Sequence, residues 1–182
     1  FKLDRNFHVP YLATSIKDFW NRWHISLSSW LRDYIYFPLG GGRKGDLRKY
    51  LNVLIVFFVS SWWHGITLNF LIWGMGHGVI RIIEDLIAKF FKNKKPKFFV
   101  SLLLIVINFT IVTTLWIFFK YDFSDAVATI QRIFVKSSLD FKVIGLTHNE
   151  VVWLCIVLST VVITDILRYF FVLGEFFGKH VF

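Results

Sequence analysis

A single cysteine and three prolines are spread over 182 residues, and the first scarcity excludes two common frameworks. Cys155 has no second cysteine to pair with, so an internal disulfide is ruled out, and one thiolate is too few for a cysteine-based zinc site. Charge is also sparse. Only 18% of residues are charged, whereas 55% are hydrophobic and 20% aromatic, and the mean hydropathy is +0.57. A chain of this size cannot enclose so much apolar surface in a core of its own, so lipid or a further segment is expected to cover it. The lone methionine, Met75, is internal, and charged residues precede any long apolar run, so no signal peptide is visible. The sequence therefore reads as a fragment of a longer protein. It contains no internal repeat and no low-complexity tract.

Acidic residues are outnumbered by basic ones, 12 to 21. That excess would suit nucleic acid if it formed one patch. Instead Arg43, Lys44, Arg48 and Lys49 form one cluster and Lys89, Lys92, Lys94, Lys95 and Lys97 another, each between apolar segments. Basic clusters at segment ends follow from positive-inside bias and attraction to anionic lipid, and they argue against a nucleic-acid partner.

Residues 1–13 contain Pro10 and read as an extended lead-in. Ser15 with Asp18 three residues on is a capping-box signal. After it Trp20, Trp23, His24, Leu27, Trp30, Leu31 and Tyr34 recur at three- and four-residue steps, which predicts one amphipathic helix with an aromatic face. Lys17, Asn21, Arg22, Ser28, Ser29, Arg32 and Asp33 occupy the other side, as suits an interfacial helix. Pro38 and Gly40–Gly42 end it. The glycine run followed by Arg43-Lys44-Gly45 lacks the spacing and the closing Lys-Ser or Lys-Thr of a phosphate loop and reads as a basic turn at the membrane surface.

From Leu51 to Ile83 the chain is strongly apolar and is interrupted at His64-Gly65, which predicts two short helices or one broken one. The hairpin form is preferred because it puts both basic clusters on one side. Residues 98–119 carry no charge, follow Pro96 and are long enough to span a bilayer. Within them Asn108, Thr110, Thr113 and Thr114 are expected to bond neighbouring helices. Ala126, Val127, Ile130, Ile133 and Phe134 form a stripe suited to a surface helix within 120–148, and a second span is expected at 150–172, with Asp165 and Arg168 as a local pair. The expected fold is all-α: a polytopic membrane protein fragment in which short or broken membrane helices and interfacial amphipathic helices make one membrane domain, residues 1–182.

Trp62-Trp63-His64-Gly65 concentrates the chemistry. Intramembrane histidines are costly and usually face a bundle interior or a wet cavity. A rise of about 1.5 Å per residue from Leu51 sets His64 ~20 Å from the basic surface, inside a hydrocarbon layer of about 30 Å. Burial without counter-charges would keep the imidazole neutral and able to accept a proton, as a general base must. Gly65 beside it would let the backbone bend and a substrate approach. The alternative is a tryptophan pair in an interfacial belt with an incidental histidine. His24 reads as a core histidine of the aromatic face, or as a group orienting His64 or lining a channel. His77, between Gly76 and Gly78, fits a buried hydrogen-bond donor, a channel residue or a metal ligand, but the spacing from His64 to His77 matches no short metal motif. Ser60 and Ser61 precede His64, yet no nucleophile-elbow pattern supports a serine nucleophile. His8, His148 and His180 join no constellation.

The run from Phe19 to Tyr34, FWNRWHISLSSWLRDY, continuing Ile35-Tyr36-Phe37-Pro38-Leu39-Gly40-Gly41, closely resembles the membrane-bound O-acyltransferase family. Within it the likeness is to the bacterial branch that includes alginate O-acetyltransferases, with teichoic acid D-alanyl transferases as relatives. A second block, Trp63-His64-Gly65 with Asn69-Phe70, Trp73-Gly74 and His77-Gly78, matches the same branch, and together the two cover residues 6–80. The resemblance implies a multi-pass enzyme of the inner (plasma) membrane. It would move an acyl group, acetyl in the first instance, from a cytoplasmic donor to hydroxyls of a cell-envelope or secreted polysaccharide. It places the catalytic histidine on His64 and the second motif histidine on His24, with Trp63, Asn69 and His77 toward substrate. It implies no metal and no tightly bound cofactor, the acyl donor being a co-substrate such as acetyl-CoA or another acyl thioester carrier. Expected partners are the lipid bilayer, the polysaccharide acceptor, the donor or its carrier, and an extracytoplasmic acyltransferase partner protein. The family's amino-terminal helical portion is missing here, so the chain reads as the C-terminal portion of such a protein. Trp62 and Ile66-Thr67-Leu68 also depart from the residues commoner there. Two rival classes remain at this stage: a transporter or channel lined by His64 and His77, and a non-catalytic membrane scaffold.

Overall fold

In a computed structural model of the chain, the described residues are 5–92 and 96–135 with the isolated positions 156, 160, 163 and 164, and among them there is no strand. The chain divides into two compact units, Phe1–Val135 and Lys136–Phe182, and the elements that follow belong to the first. Apart from the four isolated positions, the expected span at 150–172 with Cys155, Asp165 and Arg168 lies outside the described residues, as do Lys94, Lys95, His148, His180 and the surface-helix segment beyond residue 135.

Six helices follow a short 3-10 turn at Pro10–Leu12: α1 (Ile16–Arg22), α2 (Ile25–Leu31), α3 (Asp46–His64), α4 (Leu68–Phe90), α5 (Phe98–Lys120) and α6 (Phe123–Val135), with a π-helical turn at Arg32–Tyr36 continuing α2. Ser15 starts α1 as its sequence signal predicts, its Oγ accepting the Asp18 amide at 3.0 Å. A second cap arrives from far along the chain, where the Glu84 carboxylate of α4 accepts the Ile16 amide at 2.5 Å and the Lys17 amide at 3.3 Å. Those bonds anchor α1 against α4. Ile16 and Phe19 then bury with Ala13 and Val112, ringed by Tyr11, Trp20, Trp23 and Trp116.

The continuous aromatic helix expected after Trp20 is broken at Trp23-His24. Its cause lies outside the helix: the Asn6 carbonyl accepts the Ile25 amide, Asn6 Oδ1 accepts from the Ser26 amide and hydroxyl, and the His8 amide donates to the Arg22 carbonyl. Residues 6–8 thus satisfy the groups exposed by the break. The buried stripe shifts accordingly, with Phe19 fully buried while Trp30 and Tyr34, expected on the apolar face, are exposed. The basic turn after it is pinned, because the buried Asn52 donates to the carbonyls of Gly41 at 2.9 Å and Leu39 at 3.3 Å.

The apolar segment around His64 is a hairpin, α3 and α4 joined through residues 65–67. Small residues allow the two helices to approach. A methyl added at Gly74 would sit 1.9 Å from Ser61 Oγ and 2.8 Å from the Phe57 carbonyl oxygen, and one at Gly78 would press on Leu54 and Phe57. Gly74 and Gly78 have the four-residue spacing by which membrane helices bring backbones together. At the other end the hairpin is charged. Lys49 pairs with Asp85 at 2.7 Å and Lys89 with Asp46 at 2.5 Å, both across the two helices. An apolar tip and an ion-paired base give the hairpin a direction.

Among the described residues α5 is the one helix long and apolar enough to cross a membrane. One side packs inward through Asn108, Val112 and Leu115, while Leu102, Leu103, Val106, Ile107 and Phe109 are exposed, as lipid-facing residues are. Asn108 reaches another segment as expected, its Nδ2 donating to the Ala13 carbonyl at 3.0 Å. The threonines do not. Thr110, Thr113 and Thr114 return their hydroxyls to carbonyls of α5 itself, the local option always open to a threonine on a helix. In α6 the stripe runs from buried Ala126 to exposed Ile133, and the Phe134 side chain lies outside the described residues.

If the helix crossing sets the hairpin, Gly74→Val will lower its stability by about 1–3 kcal/mol through overpacking. Gly42→Ala, whose added methyl meets only ordinary contacts, will change little. Thermal melting of the detergent-solubilised protein, followed by size exclusion, reads both.

Candidate functional site

α3 carries its last residue, His64, about 22 Å along the helix axis from Lys49. Gly65 ends the helix in extended conformation, so its missing side chain matters for space rather than for a left-handed turn. A Cβ there would lie 2.7 Å from the Phe70 ring, and that ring stacks on the His64 imidazole with centroids 6.1 Å apart. Three more rings close around it: Trp63 at 4.8 Å, Trp73 at 5.2 Å and Phe119 at 4.9 Å, all edge-on. Within the described residues neither ring nitrogen of His64 makes a hydrogen bond and no carboxylate pairs with it. The imidazole is half-buried and walled by π-surfaces.

His24, the second histidine expected at the site, lies in the break between α1 and α2. Its backbone is left-handed, φ 45° and ψ 54°, at the head of α2. A side-chain-bearing residue in that region costs roughly 1–2 kcal/mol, and such strain collects at functional sites. The bonds from Asn6 and His8 hold the strained turn, and His24 Nδ1 is buried with no protein partner.

The other expected residues divide. Trp63 is 65% exposed at the hairpin tip and touches His64 edge-on. Asn69 is buried in the first turn of α4. His77 is fully buried among Phe19, Trp20, Phe57 and Trp73, with Nδ1 2.8 Å from the Trp73 carbonyl oxygen. It makes no ring contact with His64. Trp73 links the two, its ring lying 5.3 Å from His77 and 5.2 Å from His64. Ser61, one of the serines beside the site, gives its hydroxyl to the Phe57 carbonyl at 2.7 Å, which leaves no Ser–His pair there. Phe119 was missed by sequence reasoning, since one phenylalanine in an uncharged span carries no signal of what it faces.

With the ring removed in both cases, His24→Gly will be more stable than His24→Ala by about 1 kcal/mol, because only glycine accepts φ 45° without strain. Equal melting temperatures for the two variants in detergent would contradict the left-handed turn.

Comparison with known proteins adds independent findings. The model of the membrane-bound O-acyltransferase family (MBOAT) matches residues 2–127. A probable alginate O-acetylase of Pseudomonas fluorescens is 40% identical over 122 residues, covering 67% of this chain and 24% of the relative. A peptidoglycan O-acetyltransferase of Helicobacter pylori is 38% identical over 122 residues, 65% of this chain and 22% of the relative. A teichoic acid D-alanyltransferase of Bacillus subtilis is 35% identical over 123 residues, 61% of this chain and 31% of the relative. The chain spans about a fifth to a third of the length of these curated relatives.

Proposed function

The chain belongs to the membrane-bound O-acyltransferase family, and from that premise we propose that it forms the catalytic part of an enzyme transferring an acyl group, acetyl in the first instance, to hydroxyls of a cell-envelope or secreted polysaccharide. Relatives named for alginate, peptidoglycan and teichoic acid support an extracytoplasmic polymer as acceptor. The observation that carries the reading is the His64 imidazole, free at both nitrogens, enclosed by four aromatic rings and standing about 22 Å from the ion-paired base of its hairpin. A group at that depth is reachable by reactants from opposite faces of a multi-pass protein in the inner membrane.

In this reading His64 is the general base. It takes the proton of the acceptor hydroxyl as that oxygen attacks the thioester carbonyl carbon. The tetrahedral adduct then collapses with loss of the thiolate, which receives the proton, leaving an ester on the polymer and a free thiol. No covalent acyl-enzyme is formed. His24 shapes the electrostatics around His64 and holds a reactant. Trp63 and Asn69 lie on the acceptor's path, and His77 supports Trp73, whose ring forms a wall of the site. The donor is acetyl-CoA or another acyl thioester carrier used as co-substrate, no metal takes part, and an extracytoplasmic acyltransferase is a partner protein of the enzyme.

His64→Ala will lower transfer from a labelled acyl donor to polysaccharide by about 10²–10⁴-fold, the usual worth of a general base, with membrane insertion and melting temperature unchanged. Assay of membranes carrying the wild-type and variant proteins tests this, and full activity of the variant would remove His64 from the mechanism.

A further inference from the structure

In an unbroken α-helix the Ile25 amide would donate to the Asn21 carbonyl and the Ser26 amide to the Arg22 carbonyl. Both bonds are redirected to the segment before α1. The Ile25 amide goes to the Asn6 carbonyl at 3.0 Å, the Ser26 amide to Asn6 Oδ1 at 3.0 Å, and the Arg22 carbonyl accepts the His8 amide at 2.8 Å. Asn6 Oδ1 also takes the Ser26 hydroxyl at 2.7 Å. Residues 6 and 8 thus replace the helix's own partners on both sides of the break. Asn6 supplies the two acceptors for the amides, one from its backbone and one from its side chain.

Local preference does not drive this exchange. Trp20, Trp23, Leu27, Trp30, Leu31 and Tyr34 keep the steps of one helix through the break, and neither glycine nor proline occurs from residue 16 to residue 37. Nor is the strap of residues 6–9 relaxed. Val9 is left-handed at φ 48° and ψ 55°, a conformation disfavoured for a β-branched residue and again for one that precedes proline. Packing holds it there: Val9 and Pro10 are buried, and Phe7 and Tyr11 set their rings 4.9 and 6.0 Å from Trp23. Two strained residues, Val9 and His24, therefore sit on the two segments that these bonds join. Strain of that kind persists only where the surroundings over-determine it.

We propose that Asn6 is a positioning residue for the reaction. Its two acceptors keep the chain in the broken form that sets His24 in its left-handed turn. Without them residues 16–36 close into one helix and the His24 imidazole takes a different direction. The claim rests on the acyl-transfer reading, in which His24 holds a reactant; Asn6 itself touches none. Aspartate in its place keeps the side-chain acceptor, whereas alanine leaves only the backbone carbonyl.

Two arms test the assignment in membranes carrying the protein. Without turnover, nitroxide labels on cysteines placed at the exposed Lys17 and Asp33, in a Cys155→Ser background, report the distance across the break. Asn6→Ala should displace that distance from the wild type's, and Asn6→Asp should leave it in place. In the second arm Asn6→Ala should lower acyl transfer about 10²-fold, the cost of a small misplacement of a reacting group, and Asn6→Asp should restore most of it. Where Asn6→Ala does not fold, Asn6→Gln, which carries the amide one methylene too far, takes its place with the same expectations. An unchanged label distance in Asn6→Ala overturns the proposal. So does full transfer by that variant, or an Asn6→Asp protein that melts like the wild type yet is as slow as Asn6→Ala. The two readings fail separately. A distance that depends on Asn6 in a protein showing no acyl transfer upholds the strap and removes the enzyme, whereas wild-type transfer undiminished by Asn6→Ala removes the role of Asn6 alone.

Discussion

Among the described residues the tightest constraint is steric. At Gly74 two helices lie so near that a single methyl would overlap Ser61 Oγ and press on the backbone oxygen of Phe57. Membrane helices gain little from apolar burial against one another, since lipid is as apolar as leucine, and close approach of small residues supplies the packing instead. The crossing fixes α3 against α4, so the ion-paired base and the aromatic tip become the two ends of one rigid lever. His64 stands at the end of α3, and Trp73, one residue before the crossing glycine, sets its ring against the imidazole. What His64 touches therefore depends on the spacing of two helices whose closest contact is elsewhere.

Around the hairpin, α1 and α2 are held by bonds from distant residues, Glu84 to the head of α1 and Asn6 to the head of α2. Between them sits a left-handed histidine. Residues that cap a helix from far along the chain can hold a strained turn that no local preference would select. A cavity of about 490 Å³ follows from the same arrangement. Its walls come from α1, α2, the π-helical turn, α3 and α4, and its cations from all of these but α2. Lys49 and Ser60, which line the cavity, and His64 at the helix end follow one another along α3.

The legible parts of the sequence were those with local causes. The uncharged run after Pro96 is the helix Phe98–Lys120, the Ser15–Asp18 signal is a helix cap, and the interruption at Gly65 is the turn of the hairpin. The break at Trp23-His24 was not legible, because an aromatic period continues through it and the groups that stabilise it lie near residue 6. The direction of the α5 threonine hydroxyls was missed for a related reason: composition shows that a threonine can bond, not that its own helix offers the nearer acceptor. Around His64, Trp63 and Trp73 stood out in the sequence and touch the imidazole, whereas Phe119 was invisible. Its significance comes from what it faces, the His64 imidazole.

The central claim is positional: one imidazole deep in the bilayer yet in reach of water-borne reagents. Thiol labelling measures it directly in a Cys155→Ser background, with single cysteines placed in turn at Leu47, His64 and Leu103. A small water-soluble thiol reagent should modify the Leu47 position rapidly, the His64 position more slowly but to completion, and the lipid-facing Leu103 position hardly at all. A His64 position as inert as that at Leu103, or as fast as that at Leu47, would contradict the account.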